Sequence, residues 1–311
     1  MMQQKPLLGC SLALLATMTW GTLPLAAQQV LKALDAQTLV WARFVVAGAV
    51  LFVLLCARRR LPDWSRMNKR DWACVVMGFV GLSCNFVLFA QALNYISPTT
   101  DQVLWQLAPF TMIGCSVLLF KERINRFQII GFVLLIVGLI GFFNDRFVEI
   151  LQFNSYSLGI LMGASASMIW VIYGIAQKFL LHVLSSQQIL MLIYAGCALF
   201  LSPIVSPSEL LALRGFPLVC LIYCCLNTLV GYGSYGEALN HWDASKVSVI
   251  TTLIPIFTML FSLLAHKLQP ETFAPLNMNA LSYAGAFVVV AGAILAAVGE
   301  KLFQKKSDKA A

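Results

Sequence analysis

Charge is scarce in this chain. Of its 311 residues only 11% are Asp, Glu, Lys or Arg, while 60% are hydrophobic; an ordinary soluble domain carries about 25% charged residues. Signs of an energy-consuming or hydrolytic centre are missing too. No GxxxxGK, GxSxG or HExxH occurs, which removes the phosphate-cradling loop, the nucleophile elbow and the helical zinc site. The three histidines, His182, His241 and His266, do not cluster. Among nine cysteines the one cluster, Cys220, Cys224 and Cys225, has no His, Asp or Glu at ligand spacing. A structural metal site needs four ligands, so no metal and no cofactor is expected, and the cysteines read as small buried hydrophobes. Long polar connections are absent as well, the longest being about 14 residues, which leaves no room for an inserted soluble domain.

What is present is apolar helix. Mean hydropathy is +0.83. An α-helix needs about 20 mainly apolar residues to cross a bilayer, because lipid offers nothing to satisfy backbone N–H and C=O groups. That criterion predicts ten spans, near 8–30, 37–57, 72–95, 99–120, 127–144, 157–180, 186–204, 216–240, 244–266 and 280–299. The first resembles a secretory signal, with Lys5 before an apolar run and PLAAQ after it. Because the run continues past Ala27 into Gln28, Gln29 and Val30, it reads as an uncleaved first helix.

With the N-terminus in the cytoplasm, 16 Lys and Arg fall on the cytoplasmic side and 5 on the other. Such a bias in short loops places both termini in the cytoplasm. The net charge of +8 then reflects topology and contact with anionic lipid. The basic stretch RRRLPDWSRMNKR reads as a membrane-surface loop; a nucleic-acid site would need aromatic interleaving and a folded basic face.

The chain repeats itself. Residues 92–110, ALNYISPTTDQVLWQLAPF, overlay residues 238–256, ALNHWDASKVSVITTLIPI, at an offset of 146 with 6 matches in 19 positions. Residues from Ala13 overlay those from Gly163 at an offset of 150, pairing Trp20 with Trp170. An offset of 154 pairs Gly131 with Gly285 and Gly138 with Gly292. The unit is five helices, and an odd number makes the second copy cross the membrane in the opposite sense. Charge agrees: the loop after span two holds six basic residues and its counterpart only Arg214, while KERINR holds three and its counterpart only Lys267.

Trp20, the ARF at 42–44, ALNYISPTTDQVLWQLAPF, the KER at 121–123 and their echoes carry a resemblance. The chain resembles EamA-type members of the drug/metabolite transporter superfamily. It departs from the pattern at Leu268, where the second copy would repeat Glu122; Glu271 stands nearby. The resemblance implies an all-α polytopic membrane protein of ten helices in two inverted five-helix repeats, 7–144 and 157–300, with a basic cytoplasmic tail at 301–311. It also implies export or exchange of small amphipathic metabolites, such as amino acids, across the bacterial inner membrane, by a monomer or homodimer. The substrate path would run between the repeats, with spans five and ten outside it.

Polar side chains inside a membrane face a cavity or another helix. Gln102 and Gln106 share a helical face and map onto Ser248 and Thr252; Pro109 and Pro255 follow as expected bends. Trp105 stands where the second copy has Thr251. Asn85, Gln91 and Asn227 add amides, and Trp20, Trp170, Tyr173 and Gln177 add aromatic faces beside polar groups. Together they form a candidate substrate cavity for a solute with an apolar body and a polar head. Two intramembrane charges lack counterparts. Arg43, about 9 Å into span two by the helix rise, is a candidate for an anionic head group, or else snorkels to the surface. Glu237, matched by Gln91, is a candidate coupling group, or else pairs with Lys246. The expected function is a secondary carrier with alternating access; a membrane-embedded enzyme and a non-transporting membrane subunit are the alternatives.

Overall fold

The computed structural model describes residues 5–121 and 123–307; Glu122 and the last four residues of the tail lie outside it. Among the described residues fourteen α-helices follow one another: α1 Pro6–Val30, α2 Ala36–Ala57, α3 Lys69–Ala92, α4 Pro98–Leu104, α5 Leu107–Phe120, α6 Arg126–Phe142, α7 Phe147–Leu151, α8 Ser155–Leu180, α9 Ser186–Leu201, α10 Pro207–Ala212, α11 Gly215–His241, α12 Ala244–Thr251, α13 Ile254–Leu268 and α14 Ala280–Ser307. The ends are set by local chemistry. Asp35 accepts from the Thr38 amide at the start of α2, and Ser97 accepts from the Thr100 amide at α4. Reciprocal capping boxes open α3 (Asn68 and Asp71), α6 (Asn125 and Gln128) and α9 (Ser185 and Gln188). Each satisfies amides that the helix itself leaves without an acceptor.

Among the described residues, eight helical segments are long and apolar enough to cross a membrane. Length alone therefore does not yield ten. The expected fourth span is divided into α4 and α5, and the expected fifth, α6, has 17 residues. The ninth span is divided too, into α12 and α13, yet taken together it is one of the eight. The chain is an all-helical, multi-pass membrane protein.

The helices gather into two compact units, residues 1–25, 96–160 and 230–311 in one, residues 26–95 and 161–229 in the other. Neither unit is a sequence repeat: each takes parts from both copies.

In the first unit the tightest pairing is α6 against α14. A Cβ built on Gly131 would lie 2.6 Å from the carbonyl oxygen of Gly292, and one on Gly138 would lie 2.8 Å from that of Gly285. Backbones this close need residues without side chains at the crossing. The contacts run in opposite chain directions, so the helices are antiparallel. They are also reciprocal. Gly131 is the repeat equivalent of Gly285 and Gly138 that of Gly292, so position one meets position two in both directions. That is the signature of a two-fold axis. The other face of α6 turns Ile129, Phe132, Val133, Ile136, Val137 and Ile140 outward, as a helix bordering lipid does.

The second unit shows the same relation independently. Thr38 of α2 accepts from the Ser206 amide after α9, Trp41 donates to the Ala198 carbonyl, and Gln188 at the start of α9 donates to the Arg60 carbonyl after α2. These helices too are antiparallel. Phe44 and Tyr194, equivalent at the offset of 150, meet with tilted rings, centroids 5.6 Å apart. Opposed crossing of the two copies is thus visible inside each unit.

Candidate functional site

The first unit holds the two broken helices. Pro109 is the third residue of α5 and Pro255 the second of α13, where a missing N–H costs the new helix nothing. The loss falls on the helix before. The carbonyls of Trp105 and Thr251 would each have received that bond. Trp105 O instead takes the Ala108 amide at 3.0 Å, and the Leu253 amide turns to Ile250 O at 3.0 Å. The expected bends at Pro109 and Pro255 are therefore full interruptions at Trp105–Gln106 and Thr252–Leu253, two to four residues earlier than the prolines. The hydroxyls of Thr251 and Thr252 donate to the carbonyls of Ser248 and Val249.

The two breaks meet. Gln106 Nε2 donates to the Thr252 carbonyl over a long 3.5 Å, and these are equivalent positions of the two copies. Gln102, one turn before Gln106, is 5% exposed, and its side chain makes no hydrogen bond to other described residues. Ser248 is half-buried on α12. Trp20 packs on Gly231, whose missing side chain makes room for the indole. Its ring lies 5.3 Å from Tyr232 and 5.5 Å from Tyr235.

Sequence reasoning missed both tyrosines. The one signal was GYGSYG, a glycine-rich run inside an apolar span.

In the second unit Arg43 does not snorkel. It is 3% exposed, its Nε donates to Thr228 Oγ1 at 3.1 Å, and its guanidinium lies 4.7 Å from the centre of the Phe86 ring. Thr228 in turn donates to Cys224 O. Among the described residues no carboxylate pairs with Arg43, and its two terminal nitrogens donate to no protein atom. The ring face offsets part of the cost of burying this cation; an anion would offset more. Asn85 donates to the Ala166 carbonyl at 2.8 Å and so ties α3 to α8. Asn227 donates to Tyr223 Oη at 3.4 Å. Trp170 and Tyr173 lie 6.2 Å apart on α8, with Gln177 and Gln91 half-buried.

Glu237 is 53% exposed along its side chain. It takes the Asn240 amide at 3.1 Å and lies 3.0 Å from His241 Nε2. The alternative partner foreseen for it, Lys246, pairs instead with Asp243 at 2.9 Å. Both neighbours lie on its own helix, so the carboxylate makes an end-of-helix contact.

Known proteins agree with this architecture. The profile of the EamA-like transporter family matches residues 7–144 and again 157–298. An uncharacterized transporter of Haemophilus influenzae is 49% identical over 306 residues, covering 98% of this chain and all of that one. The uncharacterized inner membrane transporter YhbE of Escherichia coli is 42% identical, with 97% and 95% covered. A crystal structure matched over 94% of this chain and 98% of its own has a TM-score of 0.63 at 20% identity, a likeness of fold.

Proposed function

Since the chain belongs to the EamA-like transporter family, we propose that it is a secondary carrier of the bacterial inner membrane. It exports or exchanges amino acids or related amphipathic compounds by alternating access, with both termini in the cytoplasm. The observation that carries this reading is the meeting of two broken helices at Gln106 and Thr252. Irregular backbone inside a bilayer is tolerated where protein or a polar cavity satisfies it, and paired discontinuous helices at equivalent places in two inverted copies are how carriers build a midplane site. Arg43, buried without a counter-ion among the described residues, suits a carboxylate head group. Trp20, Tyr232 and Tyr235, and separately Trp170 and Tyr173, offer aromatic faces to an apolar body. Of the remaining candidates, Asn85 is committed to a helix contact; Gln102 is better placed for a solute.

The test is counterflow in proteoliposomes loaded with unlabelled compound and offered labelled compound outside. At least one amino acid should exchange. No flux of amino acids, nucleobases, polyamines or dyes under any gradient would overturn the carrier. Replacing Gln106 by Ala removes the amide that reaches Thr252 O. Its expected effect is a roughly ten-fold loss of exchange, about the value of one such bond, with folding retained by gel filtration.

A further inference from the structure

Asp101 stands in the first copy's polar stretch TTDQ and drew no notice from sequence alone. It is the fourth residue of α4, one turn before the break, and its own carbonyl receives the Trp105 amide at 2.9 Å, the last bond before the interruption. The residue is 1% exposed, and neither carboxyl oxygen has a hydrogen-bond partner among the described residues. It does not cap its helix; Ser97 does. The other buried carboxylate among the described residues, Asp71, receives the Asn68 amide at 2.9 Å and has His182 at 3.5 Å. Asp101 has no such support.

Nor does the scaffold require an acid there. The equivalent position in the second copy is Val247, fully buried in an apolar cluster with Ala13 and Ala238. The helix packed most extensively on α4 is α13, whose titratable groups, His266 and Lys267, are in its last turn; His266 is engaged with the Phe273 carbonyl. From α8 the Tyr156 hydroxyl reaches Thr100, and the charges beside Tyr156 include Arg146 and Glu149, which pair with each other at 2.8 Å. No cation among the described residues lies within ion-pair range of Asp101. Thr99 on α4 and Ser262 on α13 also bury hydroxyls without partners. A bare carboxylate so placed would cost many kcal/mol, and a group in that position holds a proton instead. Ionisable side chains kept inside membrane proteins mark ion and proton paths.

We propose that Asp101 is the proton carrier of the transport cycle, neutral in the state seen here and ionised when movement at the Trp105–Gln106 break admits water to it. In that step the carboxyl O–H bond breaks and the proton passes to water, leaving a hydrated carboxylate. Closing the break again requires a proton to return, so one proton is taken up and released per cycle. This rests on the carrier reading, and two measurements separate them.

Infrared spectroscopy of the purified full chain in phosphatidylethanolamine/phosphatidylglycerol vesicles should show a carboxylic-acid C=O stretch at neutral pH, lost in Asp101→Asn and displaced in Asp101→Glu. Absence of that stretch from the unsubstituted protein overturns the proposal, whether or not the variants fold. In the same vesicles, accumulation of a labelled amino acid driven by a pH gradient should fall roughly ten-fold or more in Asp101→Asn, while exchange without a gradient survives. Unchanged accumulation, dependence on a sodium gradient instead, or loss of pH dependence in Glu237→Gln but not in Asp101→Asn would overturn it. If no amino acid moves yet the stretch is present and lost in Asp101→Asn, the proton site stands and the amino-acid reading falls.

Discussion

Replacing Gly285 by valine is expected to unfold the α6–α14 pair and to leave little monodisperse protein. A Cβ at Gly285 would sit 2.6 Å from the carbonyl oxygen of Gly138 and closer still to the amide nitrogen of Phe142. Both are backbone atoms of a helix, which cannot rotate aside as a side chain would. Overpacking of a core that can adjust costs about 1–3 kcal/mol; here the helices must separate, so the upper end of that range or more is expected. Gly138→Leu should behave alike, because its Cβ meets the Val289 amide and the Gly285 carbonyl. Gly114, with nothing within 4 Å, is the control: Gly114→Ala should be neutral or slightly stabilising, since alanine restricts the unfolded chain more. Thermal unfolding followed by gel filtration reads the difference. Equal behaviour of Gly285→Val and Gly114→Ala would mean that the close crossing does not hold the unit together.

The second large effect is expected at Arg43. Arg43→Gln removes a buried cation whose terminal nitrogens donate to none of the described residues. If those nitrogens take a substrate carboxylate, transport efficiency should fall about 100-fold, the value of a buried charge-assisted pair of hydrogen bonds. The loss should lie mainly in apparent affinity. Arg43→Lys should not restore it, because an ammonium lacks the planar fork. A purely structural Arg43 gives another pattern: lower thermal stability through the lost contacts with Thr228 and Phe86, with affinity unchanged.

How much of this was open to reading in the sequence follows from which features are local. Span positions were legible because hydrophobic run length is local, and so were caps such as Asn125 with Gln128. The repeat was legible at three offsets, and with it the inversion that Gly131–Gly292 and Phe44–Tyr194 display. The breaks were misplaced by two to four residues, since proline removes the bond of a carbonyl four residues earlier, and that is where the helix ends. What sequence could not give is which helices meet. Thr228 and Phe86 become partners of Arg43 only once α2, α3 and α11 are packed together, and Tyr232 and Tyr235 become neighbours of Trp20 only across α1 and α11. Asp101 escaped for the same reason: in TTDQ an acid looks like part of a solvated turn, and only packing makes it a buried one. For Glu237 the foreseen partner Lys246 pairs with Asp243 instead, and the neighbours it does have, Asn240 and His241, lie on its own helix.

The claim on which the rest depends is that equivalent helices of the two copies cross the membrane in opposite directions. Reporter fusions after residues 65 and 209, equivalent loops of the two copies, test it most directly. The account predicts cytoplasm for the first and periplasm for the second; the same side for both would contradict it.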